Sequence, residues 1–191
     1  MHRLVRIALA LLAVAGAAAQ AEPVTYKLDP THTWVTWEAR HFGTSTYRGR
    51  FDKKEGSVTV DRAAKTGKVE LKIDLTSVDT GVDHLNHHLQ ETEFFDAEKY
   101  PTATFVGDRF RFDGDSVSEV SGQLTLKGRT APVTLKASGF NCYQNPMLKR
   151  EVCGGDFAAT IDRTDWGVSF GAPFPVGNEI KLLIEVEGIR Q

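Results

Sequence analysis

The stretch SVDTGVDHLNHHLQETEFFDAEKYPTATF, residues 77–105, decides the fold, because the spacing of its apolar residues changes from that of a strand to that of a helix. Val82, Leu85 and Leu89 recur at positions i, i+3 and i+7, which places them on one stripe of a short helix. A short helix within a long run of strands can lie across the open end of a barrel and bury its stripe there. We therefore predict one short helix that caps an end of a β structure.

The chain on both sides of this stretch alternates apolar and polar residues, as strands do. The clearest alternation occupies residues 69–75, where every second residue is Val, Leu or Ile. Such runs give roughly eight or nine strands, and their short connections indicate antiparallel pairing. We predict an all-β protein, a single extended antiparallel β-barrel of about eight strands, which is wide enough to hold one ligand. A β-sandwich is the alternative.

Residues 1–21 are typical of a secretory signal peptide. A positively charged start is followed by an apolar run at residues 7–15 and by Ala19-Gln20-Ala21, a small-x-small cleavage site. We predict cleavage after Ala21, export, and one folded domain over residues 22–191. An uncleaved anchor is the alternative. No later segment reaches the length of a membrane span, so we do not expect an integral membrane protein.

The charge of the chain argues against two classes of partner. Residues 1–21 contain Arg3, Arg6 and no acidic residue, so without them Lys plus Arg falls from 23 to 21 against 25 Asp plus Glu, a net charge of −4. Residues of both signs are interspersed, with no basic stripe. We therefore expect neither nucleic acid nor an anionic membrane surface as an electrostatic partner.

The chain contains two cysteines, Cys142 and Cys153, so one intramolecular pairing is possible. In an oxidising compartment this pair is expected to form a structural disulfide that closes a short loop. A redox-active pair is more often spaced Cys-x-x-Cys, which is absent here. A catalytic or metal-binding role for the two thiols is the alternative.

The histidines of the predicted helix are the main candidates for a metal or catalytic site. His84 and His88 lie four residues apart, with Glu91 on the same face, a spacing that can hold Zn²⁺ or Cu²⁺. This face points away from the apolar stripe, so a solvated polar surface is the preferred interpretation. The sequence shows no defined catalytic arrangement, and we expect no catalytic residues, no bound metal and no cofactor.

The apolar residues that face the barrel interior form the other candidate site. Each alone is best interpreted as core, but together with inward-facing Gly49 and Gly122 they predict a long apolar tunnel. A filled barrel is the alternative. The predicted tunnel residues are Val35, Trp37, Phe51, Leu71, Ile73, Phe94, Phe105, Leu124, Leu135 and Ile161.

Polar groups at the mouth of such a tunnel would select the head group of a ligand. Four residues near the ends of the first predicted strands carry suitable side chains. They are His32, His41, Tyr47 and Arg48.

Several motifs, which follow one another along the chain, carry a resemblance to a known family. They are Asp29-Pro30-Thr31-His32, Tyr47-Arg48-Gly49-Arg50-Phe51, Phe94-Phe95-Asp96, Lys99-Tyr100-Pro101, Gly122-Gln123-Leu124-Thr125-Leu126-Lys127-Gly128 and Asp162-Arg163-Thr164-Asp165-Trp166-Gly167. With them the chain resembles the YceI-like family of periplasmic, lipocalin-like proteins that bind polyisoprenoids.

The resemblance implies a periplasmic barrel that holds a long isoprenoid, an isoprenoid quinone or a similar amphiphile in a lengthwise pore, often as a homodimer and without catalytic residues. One departure concerns the helix. The family commonly carries Arg-Asp where this chain has Leu85-Asn86, so the role of that ion pair is not carried over.

We therefore predict a non-catalytic periplasmic protein that sequesters or carries a long-chain polyisoprenoid or isoprenoid quinone. A metal-binding or catalytic barrel that uses His84, His88 and Glu91 is one alternative. A stress-response protein with a filled barrel is the other.

Overall fold

The structure is a computed structural model that describes residues 22–172 and 176–191, so the predicted signal peptide lies outside the described residues. The described chain forms one helix and eleven strands. The helix α1 spans Asp83–Gln90, and the strands are β1 (Val24–Leu28), β2 (Trp34–His41), β3 (Ser45–Phe51), β4 (Lys54–Asp61), β5 (Thr66–Asp74), β6 (Val78–Asp79), β7 (Thr102–Asp113), β8 (Ser116–Leu126), β9 (Arg129–Asn145), β10 (Arg150–Asp162) and β11 (Val176–Arg190).

Eight of the strands close into an antiparallel barrel. The hydrogen-bonded ring runs β1-β4-β5-β7-β8-β9-β10-β11 and returns from β11 to β1, where Arg190 opposes Tyr26. A sandwich would leave two separate sheets with open edges, whereas this ring is continuous. The predicted all-β fold, a single barrel of about eight strands with one helix, is confirmed.

Three crossings of the barrel are bent, and each is divided into two strands at its bend. β1 continues into β2, β3 into β4, and β5 into β6. β11 pairs with β1 near Gly188 and with β2 over residues 176–185, so β1 and β2 lie end to end beside it. In the same way β3 pairs with β2, and β6 pairs with β3. Among the described strand pairs none joins β6 to β7, and the intervening residues 80–101, which contain α1, lie at this end of the barrel.

Three strands end in the same turn, Asp-x-Thr. In Asp29-Pro30-Thr31, Asp74-Leu75-Thr76 and Asp162-Arg163-Thr164, the carboxylate accepts hydrogen bonds from the Thr amide at 2.9 Å and from the Thr hydroxyl at 2.6 Å. Asx-turns of this kind provide a side-chain partner for a backbone group that has left the sheet. The same chemistry therefore ends β1, β5 and β10.

Helix α1 forms where the helical spacing predicts it, but its buried stripe is shorter than expected. Leu89 is buried and Leu85 is half-buried, and both face the barrel interior. Val82 precedes the helix as its N-cap residue and is 45% exposed, so its prediction as part of the buried stripe is wrong. Among the described residues no helix is both long enough and apolar enough to span a membrane.

The predicted disulfide is confirmed. Cys142 and Cys153 form a disulfide between directly opposed residues of β9 and β10. The register of β7 against β8 shifts just after Gly107, so that Phe110 and Phe112, like Phe105, reach the interior.

Candidate functional site

The barrel interior contains two adjoining apolar cavities, which we call the upper and the lower chamber. The upper chamber lies beside α1 and has a volume of about 390 Å³, and the lower chamber, beside β1, has a volume of about 100 Å³. Successive inward-facing residues of one strand line the two chambers in turn. On β5 they are Leu71 and Ile73, and on β11 they are Ile184 and Leu182. The chambers therefore lie end to end along the barrel.

All ten apolar residues that the sequence predicts inside the barrel lie on these walls, although their contact with a ligand stays a prediction. Val35, Trp37, Phe51, Ile73, Phe94, Leu124 and Ile161 line the upper chamber, and Leu71, Phe105 and Leu135 line the lower one.

The wall of the upper chamber includes Trp37, whose indole packs against Gly49 of the neighbouring strand. The two residues oppose each other in the β2–β3 register, and a Cβ atom on Gly49 would lie 2.4 Å from Cζ2 of the indole. A residue without a side chain is therefore required at this position. Trp37 is 9% exposed, and its buried Nε1 has no hydrogen-bond partner among the described residues.

Aromatic side chains surround the outer end of the upper chamber. On one side His41 stacks on Tyr47 with ring centroids 4.6 Å apart. On the other side the rings of His88, Phe94 and Phe170 meet in pairs, with centroids 4.9–5.2 Å apart. All five residues belong to the chamber wall, so the end beside α1 combines apolar rings with a few polar atoms.

The structure brings together only part of the predicted polar mouth. His41 and Tyr47 lie on the wall of the upper chamber, whereas the described walls include neither His32 nor Arg48. His32 lies in the turn before β2, and Arg48 forms an exposed ion pair with Glu38, Nε to Oε1 2.7 Å. Arg48 directly follows Tyr47 on β3, so alternation turns it to the outer face, whereas His32 lies at the opposite end of β2 from His41.

Arg163, which was not among the predicted site residues, is a buried cation on the upper chamber wall. Its guanidinium donates to the carbonyls of Val168 and Phe170 at 2.8 Å, to the carbonyl of Gly177 at 3.2 Å and to Oδ1 of Asn178 at 3.4 Å. Burial lowers the pKa of Arg163. These bonds hold residues 168–170 and the start of β11 against the chamber.

A polar cluster closes the end of the lower chamber. The hydroxyl of Tyr26 donates to Glu151, and Arg62 donates to the same hydroxyl at 3.2 Å and to the sulfurs of Cys142 and Cys153. Burial and the hydrogen bond to Glu151 raise the pKa of Tyr26 to about 12, so this hydroxyl stays protonated at neutral pH. Periodicity carries no signal for this cluster, because its members come from four separate strands or strand ends.

The predicted metal-ligating face has a different composition in the structure. His88 Nδ1 lies 2.7 Å from Glu91 Oε2 and 3.8 Å from Glu93 Oε1, and ligand atoms of these three residues lie within 4.8 Å of one another. His84 is exposed and does not belong to this group. The sequence predicts a solvated polar surface for this face of the helix, but His88 also lines the upper chamber.

The segment Gly167-Val168-Ser169-Phe170-Gly171 matches the letters of the Gly-x-Ser-x-Gly nucleophile elbow. That elbow requires a strand-to-helix turn with the serine at its tip. Here the segment follows a short 3₁₀ turn and precedes β11, and Ser169 makes no described side-chain hydrogen bond to a histidine or an acid. The match therefore lacks the geometry of a catalytic serine.

Comparison with known sequences places the chain among bacterial relatives. A family model described as the YceI-like domain matches residues 26–188. A UPF0312 protein of Pseudomonas aeruginosa strain LESB58 is 36% identical over 187 residues, which cover 96% of each chain. A UPF0312 protein of Pseudomonas putida strain W619 is 33% identical, again over 96% of each chain.

Solved structures share the fold. Burkholderia cenocepacia BcnA is 25% identical with a TM-score of 0.70, covering 84% of this chain and 98% of BcnA. A polyisoprenoid binding domain from Saccharophagus degradans, implicated in plant cell wall breakdown, has a TM-score of 0.61, covering 87% of this chain and 98% of that domain. Its identity is 17%, so this likeness shows the fold alone.

Proposed function

The chain belongs to the YceI-like family, and we propose that it is a non-catalytic protein that binds a long-chain polyisoprenoid, an isoprenoid quinone or a similar amphiphilic lipid inside its barrel. The upper chamber carries this proposal. It is a cavity of about 390 Å³ within a closed barrel, and its wall is built almost wholly from aliphatic and aromatic side chains. A filled barrel, one of the alternatives, is at odds with such a space.

The physical chemistry of the walls favours a lipid over a polar metabolite. Transfer of apolar surface from water stabilises a complex by roughly 25 cal/mol per Å², so a long hydrocarbon tail needs few specific contacts. A polar metabolite would instead need several hydrogen-bonding partners in the same space. The polar atoms of His41, Tyr47 and His88 lie on the upper chamber wall, where they can meet an oxygenated end of an amphiphile.

The proposed location is the periplasm. Its support is the signal-like sequence of residues 1–21 together with the disulfide between Cys142 and Cys153, since disulfides persist in oxidising compartments. Carriage or sequestration in that compartment would keep a water-insoluble isoprenoid apart from bulk water.

Native mass spectrometry of the protein purified from the periplasm of its own host tests the proposal. We expect a stoichiometric adduct that solvent extraction identifies as an isoprenoid lipid. The measured mass also reports the cleavage site, with Glu22 expected as the first residue. A mass without adduct, combined with no uptake of added polyprenol or isoprenoid quinone, would reject the lipid-binding function.

A further inference from the structure

The indole N–H of Trp37 is a hydrogen-bond donor without an acceptor. It is the one buried side-chain nitrogen or oxygen without a partner in the described part of the chain. The indole of Trp166, by contrast, donates to the carbonyl of Leu124 at 2.8 Å. Trp34 lies outside the chambers, beneath the cationic groups of Arg50 and Lys54. Because buried donors are nearly always paired, the exception at Trp37 calls for an explanation.

The surroundings of Trp37 offer no side-chain acceptor. Its partners across the sheet are Gly49 on β3 and Leu182 on β11, and its neighbours on the same face of β2 are Val35 and Ala39. An ordered water needs two to four polar partners, which this apolar wall does not supply. An acceptor for the indole must therefore arrive with the occupant of the chamber.

We propose that Trp37 recognises an oxygen atom of the ligand, so that the upper chamber selects an oxygenated isoprenoid, an alcohol or a quinone, over an isoprenoid hydrocarbon. This inference rests on the proposed lipid-binding function. The indole is part of the upper chamber wall with Nε1 on the side of Gly49, so the proposed contact requires the ring to turn about its Cβ–Cγ bond when the ligand binds. The indole N–H can only donate, so the ligand atom must be an acceptor.

The remaining polar groups of the chamber favour a neutral oxygen over an anionic one. Arg163 is the one arginine or lysine on the described upper wall, and four of its five N–H donors are engaged by the carbonyls of Val168, Phe170 and Gly177 and by Oδ1 of Asn178. A phosphate, which binds best through two parallel N–H donors, would find at most one of them free. A carbonyl or hydroxyl oxygen needs a single donor, which Trp37 supplies.

The register also fixes how deep this oxygen lies. Tyr47 opposes Ala39, and Gly49 opposes Trp37, so Trp37 lies one inward-facing position deeper than the His41–Tyr47 pair. An oxygen bound to Trp37 is thus inside the chamber and not at its rim. Tyr47 and His41 lie on the same wall towards the outer end, where they can form a hydrogen bond with a second oxygen of the ligand.

Three isoprenoids of equal chain length test the proposal: a hydrocarbon, an alcohol and a quinone, each titrated into ¹⁵N-labelled protein. Three indole signals are expected, and the Trp37 signal is assigned with Trp37→Phe, which keeps an aromatic ring but removes the donor. We expect the alcohol and the quinone to shift the Trp37 indole proton downfield, and the hydrocarbon to leave it in place. The Trp166 signal serves as an internal reference, because its hydrogen bond is already made.

The affinity of the Trp37→Phe protein gives a second readout. We expect a loss of roughly two- to ten-fold for the alcohol and the quinone, the range of one hydrogen bond, and no change for the hydrocarbon. Trp34→Phe, which removes an indole outside the chambers, should leave all three affinities unchanged.

The outcomes separate this inference from the function on which it rests. Equal binding of all three isoprenoids with no shift at Trp37, and unchanged affinities in Trp37→Phe, would overturn the inference and leave lipid binding standing. Binding of none of the three would overturn both. A shift with the alcohol alone or with the quinone alone supports the inference and shows which oxygen the chamber accepts.

Discussion

Asp29, in the turn between β1 and β2, accepts more hydrogen bonds than a surface carboxylate usually does. Its oxygens accept from the amide and hydroxyl of Thr31 and lie 2.8 Å from Nδ1 of His32. Burial alone would raise the pKa of Asp29, but the hydrogen bonds from Thr31 and His32 outweigh it and lower the pKa to about 2. The same contact raises the pKa of the exposed His32.

Replacement of Asp29 by Asn should lower stability in a pH-dependent way. The amide oxygen still accepts from Thr31, but the charge is lost. A carboxylate whose pKa falls from 3.8 to about 2 on folding stabilises the fold above pH 3.8, and this contribution disappears as the pH falls towards 2. A histidine with a raised pKa stabilises below its unfolded value of 6.5 and loses that contribution as the pH rises through its folded value. Urea denaturation, which leaves the ionic strength unchanged, should therefore show the largest loss near pH 5.

Asp74→Asn is the matched control, because Asp74 makes the same turn with Thr76 without a histidine. Its hydrogen bonds likewise lower the pKa of Asp74. The stability loss in this variant should also vanish at low pH but stay constant between pH 5 and 8. A loss in Asp29→Asn that does not depend on pH would show that the charge is irrelevant.

The sequence predicts single residues well where one physical rule decides their position. Alternation alone places side chains such as Phe51 and Ile161 inside the barrel, and an inward-facing glycine predicts the close approach that Trp37 makes to Gly49. The height of a residue along the barrel depends on the strand bends, so His32, before β2, is separated from His41 at the other end of that strand, whereas alternation itself turns Arg48 away from Tyr47. The contacts of Arg163 are with carbonyls of the irregular segment that follows it, which leaves no periodic signal.

At the scale of elements, α1 and the segment before it form a lid over the upper chamber, defined by residues 80–90. The helical spacing predicts this lid, but not how it is anchored. Oδ1 of Asn86 accepts from the amide of Thr80 at 2.8 Å and from its hydroxyl at 2.7 Å, while Leu85 faces the chamber. Leu85, a wall residue, and Asn86, a polar anchor, therefore stand at the two positions where the family commonly carries Arg-Asp.

Replacement of Asn86 by Ala should loosen the lid. It removes two hydrogen bonds and leaves the half-buried amide of Thr80 without its partner, at a cost of roughly 1–2 kcal/mol. Hydrogen exchange measured by mass spectrometry should then be about 5- to 30-fold faster over residues 80–90 and unchanged over β9 and β10. A bound ligand should also dissociate faster, because this segment covers the chamber.

His87→Ala is the control for this change, because His87 lies on the same helix and is exposed. Its exchange rates should match those of the wild type or be slower, since Ala favours helix formation. Unchanged protection of residues 80–90 in Asn86→Ala would mean that Leu85 and Leu89 hold the lid by packing alone.

At the scale of the whole molecule, the chain crosses the barrel eight times but forms eleven strands. Hydrophobic alternation predicts the number of crossings, because each crossing carries its own alternating run. It does not predict the bends that divide β1 from β2, β3 from β4 and β5 from β6, since a bend of a few residues leaves little trace in the pattern. Nor does alternation alone decide between the predicted tunnel and a filled barrel, because the same residues could pack together in a narrower barrel. The width of the interior depends on how the barrel closes, and only the complete set of strand pairings determines that.

If the upper chamber is the binding site, filling it from the wall should abolish binding without loss of the fold. Ala39 faces the chamber from the middle of β2, and Ala39→Trp would place a large aromatic group in a space of about 390 Å³. Because that space is available, the new side chain should disturb the surrounding packing less than it would in a filled core. We expect circular dichroism spectra like those of the wild type and no lipid adduct in native mass spectrometry.

The same substitution on the other face of β2 tests whether the effect arises from the chamber. Thr36 has the opposite parity to Ala39 and lies outside the chamber walls, so Thr36→Trp adds the same bulk and the same apolar surface without reducing the cavity. It should bind lipid as the wild type does. Retained binding in a folded Ala39→Trp protein would exclude the upper chamber as the binding site, whereas loss in both variants would trace the effect to β2 itself. Only loss in Ala39→Trp alone assigns the ligand to the space enclosed by the barrel and its lid.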